Sequence, residues 1–352
     1  MLAAGGAAVT PIGFRRSTTP IGVVEGIATI DLGQTGDGRL ARRALSVVEA
    51  MAKLGRFADE LRGADAILAR NLEMLVVAAR ARRRYALRAR LIYECLDIHR
   101  MLLSKRLGGR LLRTLESRLW RDVDLLLTSS PAFIENYFSP RNFPFSMRLV
   151  ENKVLMSDDH LPDTLHTRPH RPPWRIAWFG MIRCRKSLEI LAAVARKAEG
   201  AIEVIIRGRP SDAVFDNFEE TIGRLPHVRF DGPYRGEDLP ALYGEAHFAW
   251  AIDYFEQGQN SAWLLPNRLY EGILYGAVPI GLLGVETGRW LSQRGAGTVL
   301  EEPLERKLID FFRQLDEDGY TKLANAVRAV PRHDLTIDRS DCRALVEALC
   351  DK

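Results

Sequence analysis

The sequence predicts an α/β protein made of two doubly wound domains, each a largely parallel sheet with helices on both faces. Three observations carry this. Short apolar runs alternate with helical patterns from Ala8 to Val150, and the same alternation restarts at Arg175. Between them, residues 155–173 (LMSDDHLPDTLHTRPHRPP) hold little apolar content and many prolines and histidines. Strands alternating with helices argue for a parallel sheet, and a stretch of that composition reads as a linker. A length of 352 residues suits two domains better than one. The expected organisation is an N-terminal domain at 1–154, a linker at 155–173, a C-terminal domain at 174–330, and a final helical segment at 331–352 that packs back toward the first domain.

In the first half, Ala8 to Phe14 and Val23 to Leu32 read as strands, and Leu40 to Leu61 as a helix with apolar residues at three- and four-residue steps. Strand 66–69, helix 72–81, strand 91–95, a long basic helix from Arg100 to Asp122, strand 125–128, helix 131–138 and strand 147–150 follow. The second half gives strand 175–179, helix 187–197, strand 202–206, helix 213–225, strand 228–230, helix 239–244 and strand 247–252. Helices at 304–317, 320–327 and 338–350 close the chain. A doubly wound sheet normally begins with a strand, a glycine turn and a helix. This chain opens on MLAAGGAAV, which reads as the tail of that helix and the second strand, so a first, central strand is expected upstream of Met1.

The most informative stretch is Glu256 to Gly281, EQGQNSAWLLPNRLYEGILYGAVPIG. It reads as a polar loop, an apolar step, a helix opened by Pro266 and closed at Gly276, and a short strand. Proline suits a first helical turn and glycine the exit. A loop feeding a helix N-terminus offers free N–H groups to phosphate. Glu271 is the one carboxylate between Ser261 and Gly281.

Apolar residues make up 47% of the chain and charged residues 27%, enough for a proper core in each half. No apolar run approaches a membrane span and no signal-peptide pattern is visible, so a cytoplasmic location is expected. The four cysteines, Cys95, Cys184, Cys342 and Cys350, lack metal-ligand spacing and read as reduced and mostly structural. The net charge of +5 is concentrated in the first half, at Arg80 to Arg90 and again from Arg100 to Arg121. These runs lack interleaved aromatics and match no nucleic-acid module. Leu102, Leu103, Leu107, Leu111, Leu112 and Leu115 alternate with the bases of the second run. That pattern fits either an anionic membrane surface or a solvated face over a buried leucine stripe.

Several segments together resemble GT-B fold glycosyltransferases, and more narrowly the group-4-like enzymes of succinoglycan-type exopolysaccharide synthesis. They are AGGAAVTPIGFRR, ILARNLEML, LIYECLDIHR, LLLTSSPAFIENYF, ENK, WFGMIRCRKSLEIL and LPNRLYEGILYGAVPIG. The resemblance implies two Rossmann-like domains facing across a cleft and transfer of a hexose, glucose foremost, from a UDP-linked donor to a lipid-linked saccharide. It implies no metal and no cofactor beyond the nucleotide sugar, and a peripheral position at the inner membrane face. A nucleotide diphosphate leaving group develops negative charge, which cations and backbone N–H groups stabilise. In the loop GMIRCRK, Gly180 would allow close backbone approach and Arg183 and Lys186 would clamp the phosphates. Met181 stands where the family often has arginine, so Arg183, Arg185 and Lys186 all stay candidates. Glu271 resembles the family glutamate that accepts from the ribose hydroxyls. Trp263 occupies the position of a second family glutamate, leaving Asn260, Gln259 or Glu256 for the sugar. Asn267 is a further polar contact.

In the first half, LIYECLDIHR puts Glu94, Asp97 and His99 at a strand end. A glutamate in a sheet needs a partner, so Glu94 should meet an arginine or the ligand. Asp97 could take the acceptor proton as general base, and His99 could hydrogen-bond the sugar; helix capping is the other reading of that pair. Arg70 and Asn71 end another strand and are expected to line the same cleft, as are Ser129 and Ser130, with Ser130 as a helix cap. Two other functions fit the same fold: a sugar-nucleotide epimerase or hydrolase, and a non-catalytic assembly partner. Donor binding followed by turnover separates them.

Overall fold

The computed structural model describes residues 1–36, 40–156 and 168–351, with the backbone alone for 40–42. The chain divides into two compact units, Met1–Val150 with Asp338–Lys352, and Glu151–Ile337. Most of the linker expected at 155–173 falls on 157–167, outside the described residues.

The first unit opens with β1 (Ile12–Arg15), the hairpin strands β2 (Val23–Val24) and β3 (Ile27–Ala28), and β4 (Ile30–Gln34). The single strand expected at 23–32 is therefore folded on itself. Glu25 and Gly26 both take positive φ, as a tight hairpin turn requires. β1 and β4 pair in parallel, Ile12 opposite Ile30. The helix expected at 40–61 is broken at Gly55 into α1 (Leu40–Lys53), a 3₁₀ turn and α2 (Ala58–Arg62), glycine being a poor helix former. Then come β5 (Ala66–Arg70), α3 (Asn71–Tyr85), β6 (Arg90–Cys95), α4 (Arg100–Leu103), α5 (Leu107–Leu119), β7 (Leu125–Thr128), α6 (Pro131–Phe133) and β8 (Ser146–Leu149). β5 to β8 form a four-stranded parallel sheet in that order.

The long basic helix expected from Arg100 to Asp122 is two helices. Ser104 turns extended after α4, and Arg113 from α5 donates to the exposed carbonyls of Leu102 and Ser104 at 2.7 and 2.6 Å. Gly109 makes the approach possible, since a Cβ there would sit 2.3 Å from the Ser104 carbonyl oxygen. The leucines do not form one buried stripe. Leu102 is buried, whereas Leu107, Leu111 and Leu115 are exposed.

The second unit runs β9 (Val154–Leu155), β10 (Trp174–Ile182), α7 (Arg185–Lys197), β11 (Ile202–Pro210), α8 (Phe218–Gly223), β12 (Val228–Phe230), α9 (Leu239–Glu245), β13 (Phe248–Trp250), α10 (Asn260–Trp263), α11 (Asn267–Leu274), β14 (Val278–Leu282), α12 (Glu286–Arg294), β15 (Thr298–Leu300), α13 (Leu304–Gln314), α14 (Glu317–Arg328) and β16 (Thr336–Ile337). α15 (Arg339–Cys350) then returns to the first unit, where Leu345 and Leu349 pack on Ile92, Leu125 and Leu127. α8 is half the expected helix 213–225, because the Asn217 side chain caps it by accepting from the Glu220 N–H at 3.2 Å. α12, β15 and the β9–β16 pair were not expected from the sequence.

Six parallel strands form the second sheet in the order β12-β11-β10-β13-β14-β15. The strand order therefore reverses between β10 and β13, which makes their carboxyl ends the topological switch point where ligands sit in such sheets. One face of this sheet carries large side chains, Trp174, Trp178, Phe248 and Trp250 among them. The other is lined by Ala177, Ala249 and Ala277, which brings α9 and α11 close. Gly272 of α11 lies so near β13 that a Cβ would meet that of Ala249 at 2.7 Å. Arg168 ties both helix ends by donating to the carbonyls of Tyr243, Gly244, Ala246 and Gly276.

His247 enters β13 fully buried, accepting from the Arg175 N–H at Nδ1 (3.0 Å) and placing Nε2 2.8 Å from the Pro169 carbonyl. Nε2 therefore carries the proton, and burial lowers the imidazole pKa to about 4. The unfolded chain binds this proton first as pH falls, so the stabilisation is complete above about pH 6.5 and is lost progressively toward pH 4. The full loss is about 3 kcal/mol. Urea unfolding between pH 7 and 5 should show this slope in the wild type and a flatter one in His247→Gln.

Candidate active site

Gly180 and Gly208 lie opposite each other in β10 and β11, with φ of +113° and +132°. The ladder runs on in register through Met181–Arg209 and Ile182–Pro210, and β10 then leads into Arg183 and the first turn of α7. Arg183 reaches Asp253, just past β13, at 3.6 Å and lies over the Phe255 ring at 4.7 Å. Lys186, in the first turn of α7, contacts Glu302 and Gln257, each at 3.2 Å, and lies 4.0 Å over Tyr254. Arg185 turns elsewhere, donating to the Val214 carbonyl and stacking on Phe215. Arg183 and Lys186 thus converge on the loop 253–257, and Arg185 does not.

That loop is organised by Asp253. Its Oδ1 accepts from the Phe255 N–H at 2.7 Å and from the Ser261 hydroxyl at 3.3 Å, while Ser261 in turn accepts from the Glu256 N–H at 2.8 Å. Asn260 is buried at the start of α10, and Glu256 is half-buried. Pro266 is the residue before α11 rather than its first turn, leaving Asn267 exposed at the helix start. Trp263 ends α10.

Glu271 sits mid-α11, where Tyr243 donates to its Oε2 at 3.3 Å. Its Oε1 accepts no hydrogen bond among the described residues. Burial raises the carboxyl pKa, partly offset by Tyr243 and then by the Arg268 charge. Tyr234 and Tyr275 lie near enough for the Glu271 charge to raise their own pKa values, after burial itself, Tyr234 to about 12. Phe179 packs on Tyr243 at 4.8 Å and on Tyr234 at 5.8 Å. A half-buried carboxylate with one oxygen held and the other open is poised for a hydroxyl-bearing ligand.

In the first unit, Arg70 ends β5 opposite Glu94, one residue before the end of β6, and the two form an ion pair at 2.6 Å; Arg70 is thus the arginine partner that Glu94 needs. Asn71 follows in left-handed backbone, φ +67°, which asparagine tolerates. Asp97 is exposed in the bend after β6, where its backbone carbonyl accepts from the Cys95 thiol. Its carboxylate makes no hydrogen bond among the described residues. His99 caps α4, its Nδ1 accepting from the Met101 N–H at 3.3 Å. Partial burial and then Arg43 lower its pKa, so the neutral ring carries its proton on Nε2, free to donate. Ser130 caps α6 through the Ala132 N–H, and Ser129 donates to the Leu96 carbonyl.

No family model matches the chain. The succinoglycan biosynthesis protein ExoL of Rhizobium meliloti (strain 1021) is 47% identical over 354 residues, spanning 99% of this chain and 88% of the relative. The chain belongs to the ExoL family. Its fold is that of the GT-B glycosyltransferases. Sucrose-phosphate synthase from Thermosynechococcus elongatus superposes with a TM-score of 0.67 at 15% identity, covering 99% of this chain and 88% of that one. Anabaena HepE, solved with UDP and glucose, gives 0.66 at 15% identity over 92% and 86%. WaaG, a lipopolysaccharide-biosynthesis glycosyltransferase, gives 0.61 at 15% identity over 100% and 93%.

Within this ExoL-family chain, several site residues went unnoticed in the sequence. Asp253 carried a signal, an acid directly after an apolar strand. Gly208 lay inside IIRGRP without a recognisable turn pattern, and Tyr243 fell within the expected helix 239–244. The ENK motif anchors α11: Glu151 accepts from Tyr270 at 3.0 Å and Asn152 donates to the Leu265 carbonyl at 2.8 Å. Among the described residues, no three His, Cys, Asp or Glu side chains converge as metal ligands would. Nor is any described helix long and apolar enough to cross a membrane.

Proposed function

We propose that this protein transfers a hexose, glucose in our reading, from a UDP-linked donor to a lipid-linked saccharide in succinoglycan-type polysaccharide synthesis. The observation that carries the reading is Glu271: a carboxylate on α11 with Oε2 held by Tyr243 and Oε1 open, suited to the ribose hydroxyls. Gly180, Arg183 and Lys186 would bind the diphosphate, exchanging their contacts with Asp253, Gln257 and Glu302 for phosphate oxygens. Asn260, Asn267 and Glu256 would meet the sugar, and Arg70, Asn71 and Glu94 the acceptor. Asp97 would be the base and His99 a donor to a sugar hydroxyl, with no metal or cofactor involved. HepE has been solved with UDP-glucose, which gives the donor its direction. The 47% identical relative named for succinoglycan biosynthesis supports the product class. The exposed leucines of α5 among bases support peripheral action at the inner, cytoplasmic membrane face.

Glu271→Ala should weaken UDP-glucose binding by about 1–3 kcal/mol, measured by calorimetry. Tyr243→Phe should cost less, because the carboxylate remains. Acid should weaken wild-type binding as Glu271 takes up its proton, at a pH above the ordinary carboxylate range. Unchanged affinity in Glu271→Ala would remove this residue from the donor site.

A further inference from the structure

We propose that the outer face of α5 holds a discrete site for the diphosphate of a membrane lipid, built by Arg110, Arg118 and Arg121 over a floor formed by Arg113 and Arg141. These five arginines, with Thr114 and Ser117, line one open cavity of about 400 Å³. The proposal rests on the reading above that the acceptor is lipid-borne, and it assigns that lipid's charged group to residues other than those proposed for transfer.

The floor is rigid. Glu116 is fully buried beneath it, accepting from Tyr93 at 2.9 Å, from Tyr137 at 2.6 Å and from Arg141. Arg141 also donates to Ser117 Oγ at 2.8 Å and to the Arg113 carbonyl at 3.0 Å, and stacks 4.4 Å from Trp120 and 4.5 Å from Tyr137. Arg113 is held by the carbonyls at the end of α4. Glu116 therefore offsets one guanidinium of the five. Arg110, Arg118 and Arg121 make no ion pair among the described residues. Elsewhere in this half, Arg83 pairs with Asp122, Arg82 with Asp124, and Arg90 donates to the Ala348 carbonyl of α15.

What faces the basin decides its occupant. At about 3.6 residues per turn, Leu107, Leu111 and Leu115 trace a ridge on α5 beside the row Arg110, Thr114 and Ser117, with Arg121 in the 3₁₀ turn just past the helix. All three leucines are exposed, Leu107 and Leu111 by 75% and 71%. An apolar ridge edged by guanidiniums matches acyl chains below a phosphate layer, and the fork geometry of arginine suits paired phosphate oxygens. A free phosphate or a nucleic acid would leave the leucines without a role.

The test is flotation of the full chain with phosphatidylcholine vesicles carrying a small fraction of polyprenyl diphosphate, against vesicles brought to equal surface charge with phosphatidylglycerol. The wild type should bind the diphosphate vesicles at least about tenfold more tightly. Arg118→Gln with Arg121→Gln should erase that preference, and Leu107→Ser with Leu111→Ser should weaken binding to both vesicles. UDP-glucose affinity and thermal melting should stay unchanged in both double variants, which separates loss of the site from misfolding. Equal wild-type binding to the two vesicles, an unaltered preference in the arginine variant, or equally tight binding of inorganic diphosphate or an RNA oligomer in solution would each overturn the proposal. A wild type that prefers the diphosphate vesicles yet binds no UDP-glucose would sink the donor reading and leave this site standing.

Discussion

Asp97→Asn is expected to slow sugar transfer by roughly 10²–10⁴-fold while leaving UDP-glucose affinity within about twofold. The change keeps the size of the side chain and removes its basicity. Asp97 stands after the carboxyl end of β6, exposed and without a hydrogen bond to its carboxylate among the described residues. It therefore supports no part of the fold that its replacement would disturb. A general base must reach an incoming hydroxyl, and a carboxylate already engaged in an ion pair, as Glu94 is with Arg70, would first have to give up that partner. The expected loss corresponds to about 3–5 kcal/mol of barrier, to be read as kcat with saturating donor and a membrane acceptor fraction. His99→Ala should behave differently, because it removes the α4 cap together with the Nε2 donor. Its loss should appear in stability as well as rate. If Asp97→Asn lowers donor affinity and transfer in equal proportion, the residue is structural and the base lies elsewhere.

The two sheets were legible because their strands are continuous apolar runs, and β5, β6, β7, β10, β11 and β14 fall within a few residues of where periodicity places them. Helix ends were less legible, since side chains decided them: Asn217 shortened α8, and the Arg113 contact with the α4 carbonyls divided the basic helix. The orientation of α5 was hidden for the same reason. A leucine repeat says that one face is apolar, and only the buried Glu116 shows that the opposite face turns inward. At the candidate site, Glu271 and the basic loop could be named from spacing. Their partners Tyr243, Asp253 and Glu302 could not, because each comes from a different element and the pairings depend on the strand order.

Gly208→Ala should be the most damaging single substitution in the second unit. Alanine at φ +132° is strained by about 1–3 kcal/mol. Its Cβ would also stand 1.8 Å from the Gly180 carbonyl oxygen, a clash with backbone that no rotamer relieves, adding about 1–3 kcal/mol as β10 and β11 part. The melting temperature of this unit should fall by roughly 10 °C. Gly180→Ala is the matched control. It bears a similar torsional burden at φ +113° but meets no atom within 4 Å, so it should cost only the first part. The difference between the two variants isolates the close approach of the strands. Because β10 leads directly into Arg183 and Lys186, Gly208→Ala should also weaken donor binding at temperatures well below its melting point. Equal destabilisation by the two alanines would show that the strands yield at little cost, and Arg183 and Lys186 would then not owe their position to this contact.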